Sequence, residues 1–250
     1  VAAEGVAYAQ VNALGNVAVV VEVNAETDFV AKNAEFQAFV KTVADTVEEQ
    51  NPADVDALLN LTAFGTDKKV DDLLKEKIQT IGENIKIRRF VRMEGPVVSY
   101  VHANGRIGVI VKFNTSAEIA AKPEFQEYAK NIAMQVAAAN PSYLDEQAVP
   151  ADVVEHEKKI LTEQVINDGK PAAIAEKIVV GRLSKFFKDI CLVDQVYVKD
   201  SDKNVQQYTD SVAKELGGEI SIAAFARFEK GEGLEKKEDN FADEVASMVK

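Results

Sequence analysis

The densest chemistry in the chain is an acid set between a hydroxyl and an aromatic. The run Val23-Asn24-Ala25-Glu26-Thr27-Asp28-Phe29-Val30-Ala31-Lys32-Asn33 passes from an apolar strand end into a helix start. Thr27 or Asp28 can serve as N-cap, its side-chain oxygen accepting from the unpaired amides of the first helical turn. Capping accounts for one of them without any function, and it does not account for Phe29. Two readings compete for that ring. It can be a staple packed over the helix start, or an exposed aromatic that inserts into a partner's pocket, the usual anchor of a binding surface.

Catalytic chemistry is nearly absent elsewhere. There is no G-x-x-x-x-G-K-[ST] and no G-x-G-x-x-G, so the chain has no evident phosphate cradle and is expected to bind no nucleotide itself. Its two histidines, His102 and His156, and its single cysteine, Cys191, are far apart in sequence, which argues against a zinc site or a Cys-His nucleophile. Acidic runs such as Glu48-Glu49 and 235–239 read as solvated faces rather than acid–base pairs. The expectation is a protein that is not an enzyme and holds no cofactor and no metal.

The elements that must position the 23–33 run are duplicated. Residues 4–24 lie over 94–114, and after a one-residue skip 34–52 lie over 123–141. Of these 40 pairs 16 are identical, too many for coincidence. Each copy reads as strand, turn, strand, helix and a later strand. Asn104-Gly105 suits the positive backbone angles of a tight hairpin. Phe36, Val40, Val43 and Val47 in one copy, and Phe125, Ala129, Ile132 and Val136 in the other, fall on one helical face. Asn51-Pro52 and Asn140-Pro141 stop these helices. The closing strands also match, with Ile85, Ile87, Phe90, Arg92 and Glu94 over Ile220, Ile222, Phe225, Arg227 and Glu229.

Between helix stop and closing strand the first copy holds a helix with Val70, Leu74, Ile78 and Ile81 on one side. The second copy is longer there. The excess, about 151–189, reads as a helical hairpin broken at Asp168-Gly169-Lys170-Pro171, with Val154, Leu161 and Val165 facing Ile174, Ile178 and Phe186. A short C-terminal helix over about 240–249 presents Phe241, Val245 and Met248 to the core or to a partner. The fold class expected is α+β: two related subdomains, 1–93 and 94–250, each a small antiparallel sheet covered by helices.

The repeat also separates scaffold from function, because residues shared by both copies are those the fold requires. Counting back from Glu35 over Glu124 sets Val30 against Ile119, an apolar pair that marks a buried position. It sets Phe29 against Glu118, so the sister position faces water. Thr27-Asp28-Phe29 is read as having no counterpart across the repeat. Met134-Gln135, where the first copy has Asp45-Thr46, is a second asymmetry, and Met134 lies off the apolar stripe.

Composition sets wider bounds. A chain of 250 residues with 47% hydrophobic content can bury a proper core. Its formal charge of −12 argues against direct nucleic-acid binding by phosphate neutralisation. A lone cysteine forms no internal disulfide, as suits a reducing cytosol. No apolar run approaches the roughly 18 residues that a membrane span needs. The start, Val1-Ala2-Ala3-Glu4-Gly5, does not look like a signal peptide, so a cytoplasmic location is expected.

Residues 23–33 closely resemble the signature of the elongation factor Ts family. So do Ile81-Gly82-Glu83-Asn84-Ile85-Lys86-Ile87-Arg88-Arg89, Gly169-Lys170-Pro171 through Gly181-Arg182, and Arg227-Phe228-Glu229 with Gly231-Glu232-Gly233. The resemblance implies a guanine nucleotide exchange factor whose partner is elongation factor Tu. It implies that Thr27, Asp28, Phe29 and Val30 enter the GTPase near its magnesium ion, Phe29 as wedge and Asp28 as acceptor. Met134, Gln135, Phe241 and Val245 are weaker candidates for partner contact; family members often carry histidine where Gln135 stands. Members also begin with a small helical domain, and the expectation is that this domain is missing here and exchange is weaker for it. A non-catalytic scaffold or chaperone-like binder acting through the helical hairpin is the alternative.

Overall fold

Five of the nine residues of Val17–Ala25 (β2) are valine, and branched side chains favour the pleated backbone. The strand is apolar on both faces because both are covered. It pairs antiparallel with Glu4–Val11 (β1) on one side and Lys86–Glu94 (β3) on the other. The second copy repeats this with Val97–His102 (β4), Ile107–Asn114 (β5) and Ser221–Glu229 (β6), in the order β4-β5-β6. Both middle strands shift register at the equivalent point, between Glu22 and Val23 and between Lys112 and Phe113. In this computed structural model residues 1–235 and 246–248 are described.

Short helices follow each middle strand, Asp28–Ala31 (α1) and, in the second copy, Ala117–Ala120. Ala34–Gln50 (α2) then packs on the first sheet, buried along Phe36, Phe39, Val40, Val43, Ala44 and Val47. Asn33 caps it by accepting from the Phe36 amide, and Asn51 ends it at φ 48°. Val55–Leu59 (α3) and Val70–Ile81 (α4) complete the first half. The second half runs through Ala117–Ala120 (α5), Pro123–Ala139 (α6), Ala151–Asn167 (α7), Ala172–Ile190 (α8) and Val205–Leu216 (α9). Asn140 ends α6 at φ 46°, the conformation Asn51 adopts. Helices α4 and α9 both have 12 residues, and both end on a left-handed glycine, Gly82 or Gly217. The repeat therefore extends through these helices to the closing strands.

The result is a helix, sheet, sheet, helix stack, which is the α+β architecture expected. One apolar cluster joins the first sheet to α2 and α4, and a second joins the other sheet to α6 and α9. A third lies between the sheets, where Ala7, Ala9, Ala18 and Val20 meet Val97, Ile110 and Phe228. Small residues let the sheets approach closely. A Cβ on Gly108 would lie 3.1 Å from a Val20 methyl and 3.2 Å from the Ala7 carbonyl carbon. The Ala7 amide also donates to the Gly105 carbonyl at 2.8 Å, tying the β4–β5 turn to the first sheet. Ala103, Asn104 and Gly105 all have positive φ in that turn, as the Asn-Gly pair implies.

The hairpin insertion exists, but with a different seam. Leu161 and Val165 pack against Ala175 and Val179, with Ile178 and Leu183 at the margin. Ile174, expected inside, is half exposed. The turn through Gly169, at φ 75°, sets the phase of α8, and the small Ala175 side chain admits the closer approach. Of the C-terminal helix expected over 240–249, Phe241 and Val245 lie outside the described residues. Met248, within them, is exposed.

Candidate functional site

The tip is built where β2 ends. Thr27 occupies the N-cap of α1 at φ −124° and ψ 157°, but its side chain makes no capping bond. Its hydroxyl donates instead to Glu83 Oε1 at 2.6 Å, and the amides of Glu26 and Thr27 both donate to Glu83 Oε2 at 3.1 Å. The expected cap is thus corrected: the position is right, but the Thr27 hydroxyl is turned to donate to a carboxylate reaching in from the end of α4 and accepts from no amide of the turn. Val30 turns inward and is 6% exposed within the first core. Phe29, one residue earlier on this single turn, points the other way and is 80% exposed. The staple reading is overturned, since a ring so exposed is not packed over the helix start. Asp28 beside it is exposed as well.

Comparison with the sister turn shows what is particular to the tip. At α5, Ser116 does cap, its Oγ accepting from the Ile119 amide at 3.2 Å. Ile119 is buried like Val30, and Glu118 is exposed in the place of Phe29, as the pairing predicts. Gln37 and Gln126 each donate to the last carbonyl of their short helix, Ala31 at 3.0 Å and Ala120 at 2.8 Å. The turn itself is therefore duplicated scaffold, contrary to the reading that Thr27-Asp28-Phe29 has no counterpart. What differs is its side chains. Glu83 differs too, since Gly218 stands at the equivalent position after Gly217. There a cleft of about 930 Å³ lies open between Thr115, Ser116, Lys122 and Lys214. Glu83 is a site residue that no sequence pattern singles out, although the glutamate-to-glycine asymmetry is visible in the repeat.

The second candidate pair fares differently. Met134 is half-buried, and Gln135 is wholly buried. The Gln135 amide group donates to Gln195 at 3.3 Å and to the Val196 carbonyl at 3.0 Å, while its oxygen accepts from the Val198 amide at 2.8 Å. Gln135 is thus corrected from a surface contact to an internal strut. Thr46, its counterpart in the first copy, does the same work by accepting from the Phe64 amide at 3.0 Å. Gln135→Leu is expected to lower unfolding stability by about 1–3 kcal/mol, because it removes a buried amide that ties down the part-buried Val196 carbonyl and Val198 amide. Urea denaturation of the two proteins checks this.

The lone cysteine is buried. Burial pushes the Cys191 thiol up to about 11, with Asp194 adding to the effect, so it stays protonated near neutral pH. Among the described residues no cluster of three His, Cys, Asp or Glu could hold a metal, and no helix is long and apolar enough to cross a membrane. The surface offers a presented aromatic with a neighbouring acid, suited to recognition.

Comparison with known proteins bears on what is recognised. The sequence profile of the family described as Elongation factor TS matches residues 26–232. The chain is 50% identical over 253 residues to Elongation factor Ts of Trichlorobacter lovleyi, covering 99% of this chain and 81% of that protein. It is 47% identical over 242 residues to Elongation factor Ts of Syntrophotalea carbinolica, covering 94% and 78%. Against Elongation factor Ts of Clostridium perfringens the identity is 45% over 251 residues, covering 99% and 82%.

Proposed function

The chain belongs to the elongation factor Ts family of translation elongation factors, and from that premise we propose that it acts on elongation factor Tu as a guanine nucleotide exchange factor. The observation that carries the reading is the tip, where a phenylalanine 80% exposed is held on a turn whose next residue is buried in the core. An exchange factor must bind the nucleotide-free GTPase more tightly than the loaded form. Coupling is reciprocal, so the factor loosens GDP by the free energy by which GDP loosens the factor. Phe29 enters the GTPase near its magnesium ion as a wedge, and Asp28 competes as an acceptor for groups that hold the ion. Thr27 and Val30 keep the turn in place from behind. The two halves, 1–93 and 94–250, rest on different domains of the GTPase and give leverage. No bond is made or broken, so the chain is no enzyme, and the reading carries with it a cytoplasmic location.

Release of a fluorescent GDP from elongation factor Tu tests this, comparing the chain with Phe29→Ala and Asp28→Ala. If the chain itself leaves release unchanged, the assignment is wrong.

One observation favours a second reading, a binder acting through the hairpin: Ile166, Ile174 and Val180 are 61%, 50% and 62% exposed there. Replacing 151–189 by a short loop separates the two. The exchange reading expects GDP release to persist, because the tip lies on the other copy. Loss of release on that deletion, with Phe29→Ala silent, would favour the hairpin.

A further inference from the structure

We propose that Glu83 is a positioning residue for the exchange tip, its carboxylate locking the Glu26-Thr27 backbone so that Phe29 is presented in one orientation. The proposal rests on the exchange reading above. A single helical turn of four residues cannot hold itself in water, because nucleation fixes several dihedrals for one hydrogen bond. α1 is held at three places. Val30 is sunk in the core behind it, Gln37 holds its last carbonyl at 3.0 Å, and Glu83 holds the two amides that lead into it. The first two supports recur in the sister turn as Ile119 and Gln126. The third does not. Glu83 receives the Thr27 hydroxyl at 2.6 Å and two amides at 3.1 Å, across 56 and 57 positions of chain. Gly218 has no side chain to do the same, and the sister turn carries Glu118 in place of an aromatic. The lock thus occurs on the copy that bears Phe29.

The left-handed Gly82, at φ 82°, ends α4 and turns the chain so that the next residue lies under the tip. An ionised carboxylate accepting from amide and hydroxyl groups makes the stronger kind of hydrogen bond. It also occupies the Thr27 hydroxyl, so Thr27 serves the site through its backbone position. Holding the turn before docking lessens the ordering that association requires.

The test uses the full chain with Glu83→Ala, Glu83→Gln, Phe29→Ala and the double variant Glu83→Ala with Phe29→Ala. Amide hydrogen exchange of Glu26 and Thr27 is read beside GDP release from elongation factor Tu. Glu83→Ala is expected to speed exchange of those two amides and to raise the half-saturating concentration of the chain about tenfold. It leaves the maximal release rate and the melting temperature near those of the parent. Glu83→Gln, which keeps one acceptor oxygen, falls between. The double variant is no worse than Phe29→Ala alone, because the lock acts only through the ring it presents. Unchanged protection of the Glu26 and Thr27 amides, or losses that add in the double variant, would overturn the proposal. A parent chain inactive in GDP release sinks the exchange reading instead, and amide exchange then decides by itself whether Glu83 orders the tip.

Discussion

Phe29→Ala is expected to weaken acceleration of GDP release by roughly 30-fold or more, equivalent to about 2 kcal/mol of lost coupling. Its melting temperature should stay where it was. The asymmetry follows from burial. The ring is 80% exposed and touches no core, so truncation removes little from the fold, within about 0.5 kcal/mol for a surface site of this kind. At an interface the same ring is a large anchor whose removal leaves its pocket unfilled. Val30→Ala gives the contrast, because Val30 belongs to the first core and its truncation lowers stability together with activity. Stopped-flow GDP release and thermal unfolding on the same samples check the pair. Full activity of Phe29→Ala refutes the wedge. A large drop in its melting temperature would show that the ring packs in solution.

The largest effect on stability is expected at Glu22, which is fully buried at the centre of the first sheet. Arg89 Nε donates to it at 2.6 Å, Arg88 Nη1 lies 3.2 Å from both its oxygens, and Asn24 Nδ2 donates at 3.0 Å. The Gly231 amide donates at 2.7 Å, bringing in the turn after β6. Arg89 in turn lies 4.2 Å from the centre of the Phe228 ring, within the layer between the sheets. The carboxylate therefore joins β2, β3 and the turn after β6 at one point. Glu22→Gln leaves two guanidinium groups facing a neutral amide, and removing one partner of a buried ion pair costs about 3–5 kcal/mol. For a chain of this size that corresponds to a fall of roughly 10 °C in melting temperature. Cleavage by a protease within 229–235 should also become faster, since the turn loses its tether.

The same site predicts a pH dependence. Burial works to raise the Glu22 carboxyl, but the bonds from Asn24, the Gly231 amide and Arg89 outweigh it and hold the group below the ordinary glutamate value. A carboxyl lowered by folding contributes stability that is complete above its unfolded value of about 4.3. That contribution is lost as pH falls through the folded value. The advantage of the parent over Glu22→Gln is thus expected to shrink in acid and to be constant near neutrality. Denaturation series at neutral and acid pH check the sign, and an advantage that grows on acidification would contradict it.

Much of this architecture is legible without coordinates. The two copies, their strand-turn-strand-helix order, the left-handed Asn51 and Asn140 and the helical insertion follow from patterns of period 2 and 3.6 and from residues that suit particular backbone angles. The exposure of Phe29 was legible as well, because its sister is a glutamate at a solvent-facing position. Gln135 was not. An off-pattern polar residue reads as surface, and only the loop folded over α6 supplies the Val196 and Val198 backbone groups that satisfy it indoors. The hairpin seam departs from the apolar spacing for a related reason. Helix α8 carries more than one run of apolar residues, and the turn at Gly169, rather than periodicity, selects which run faces α7.

Local conformation and its duplication are written in the order of the residues, since both depend on neighbours a few positions away. Which polar groups meet depends instead on how the elements pack. Glu83 reaches Thr27 across 56 positions, and Glu22 reaches Gly231 across 209. No periodic pattern spans such distances. A carboxylate finds its donors only after two sheets have packed face to face and a glycine has turned the chain at the end of a helix.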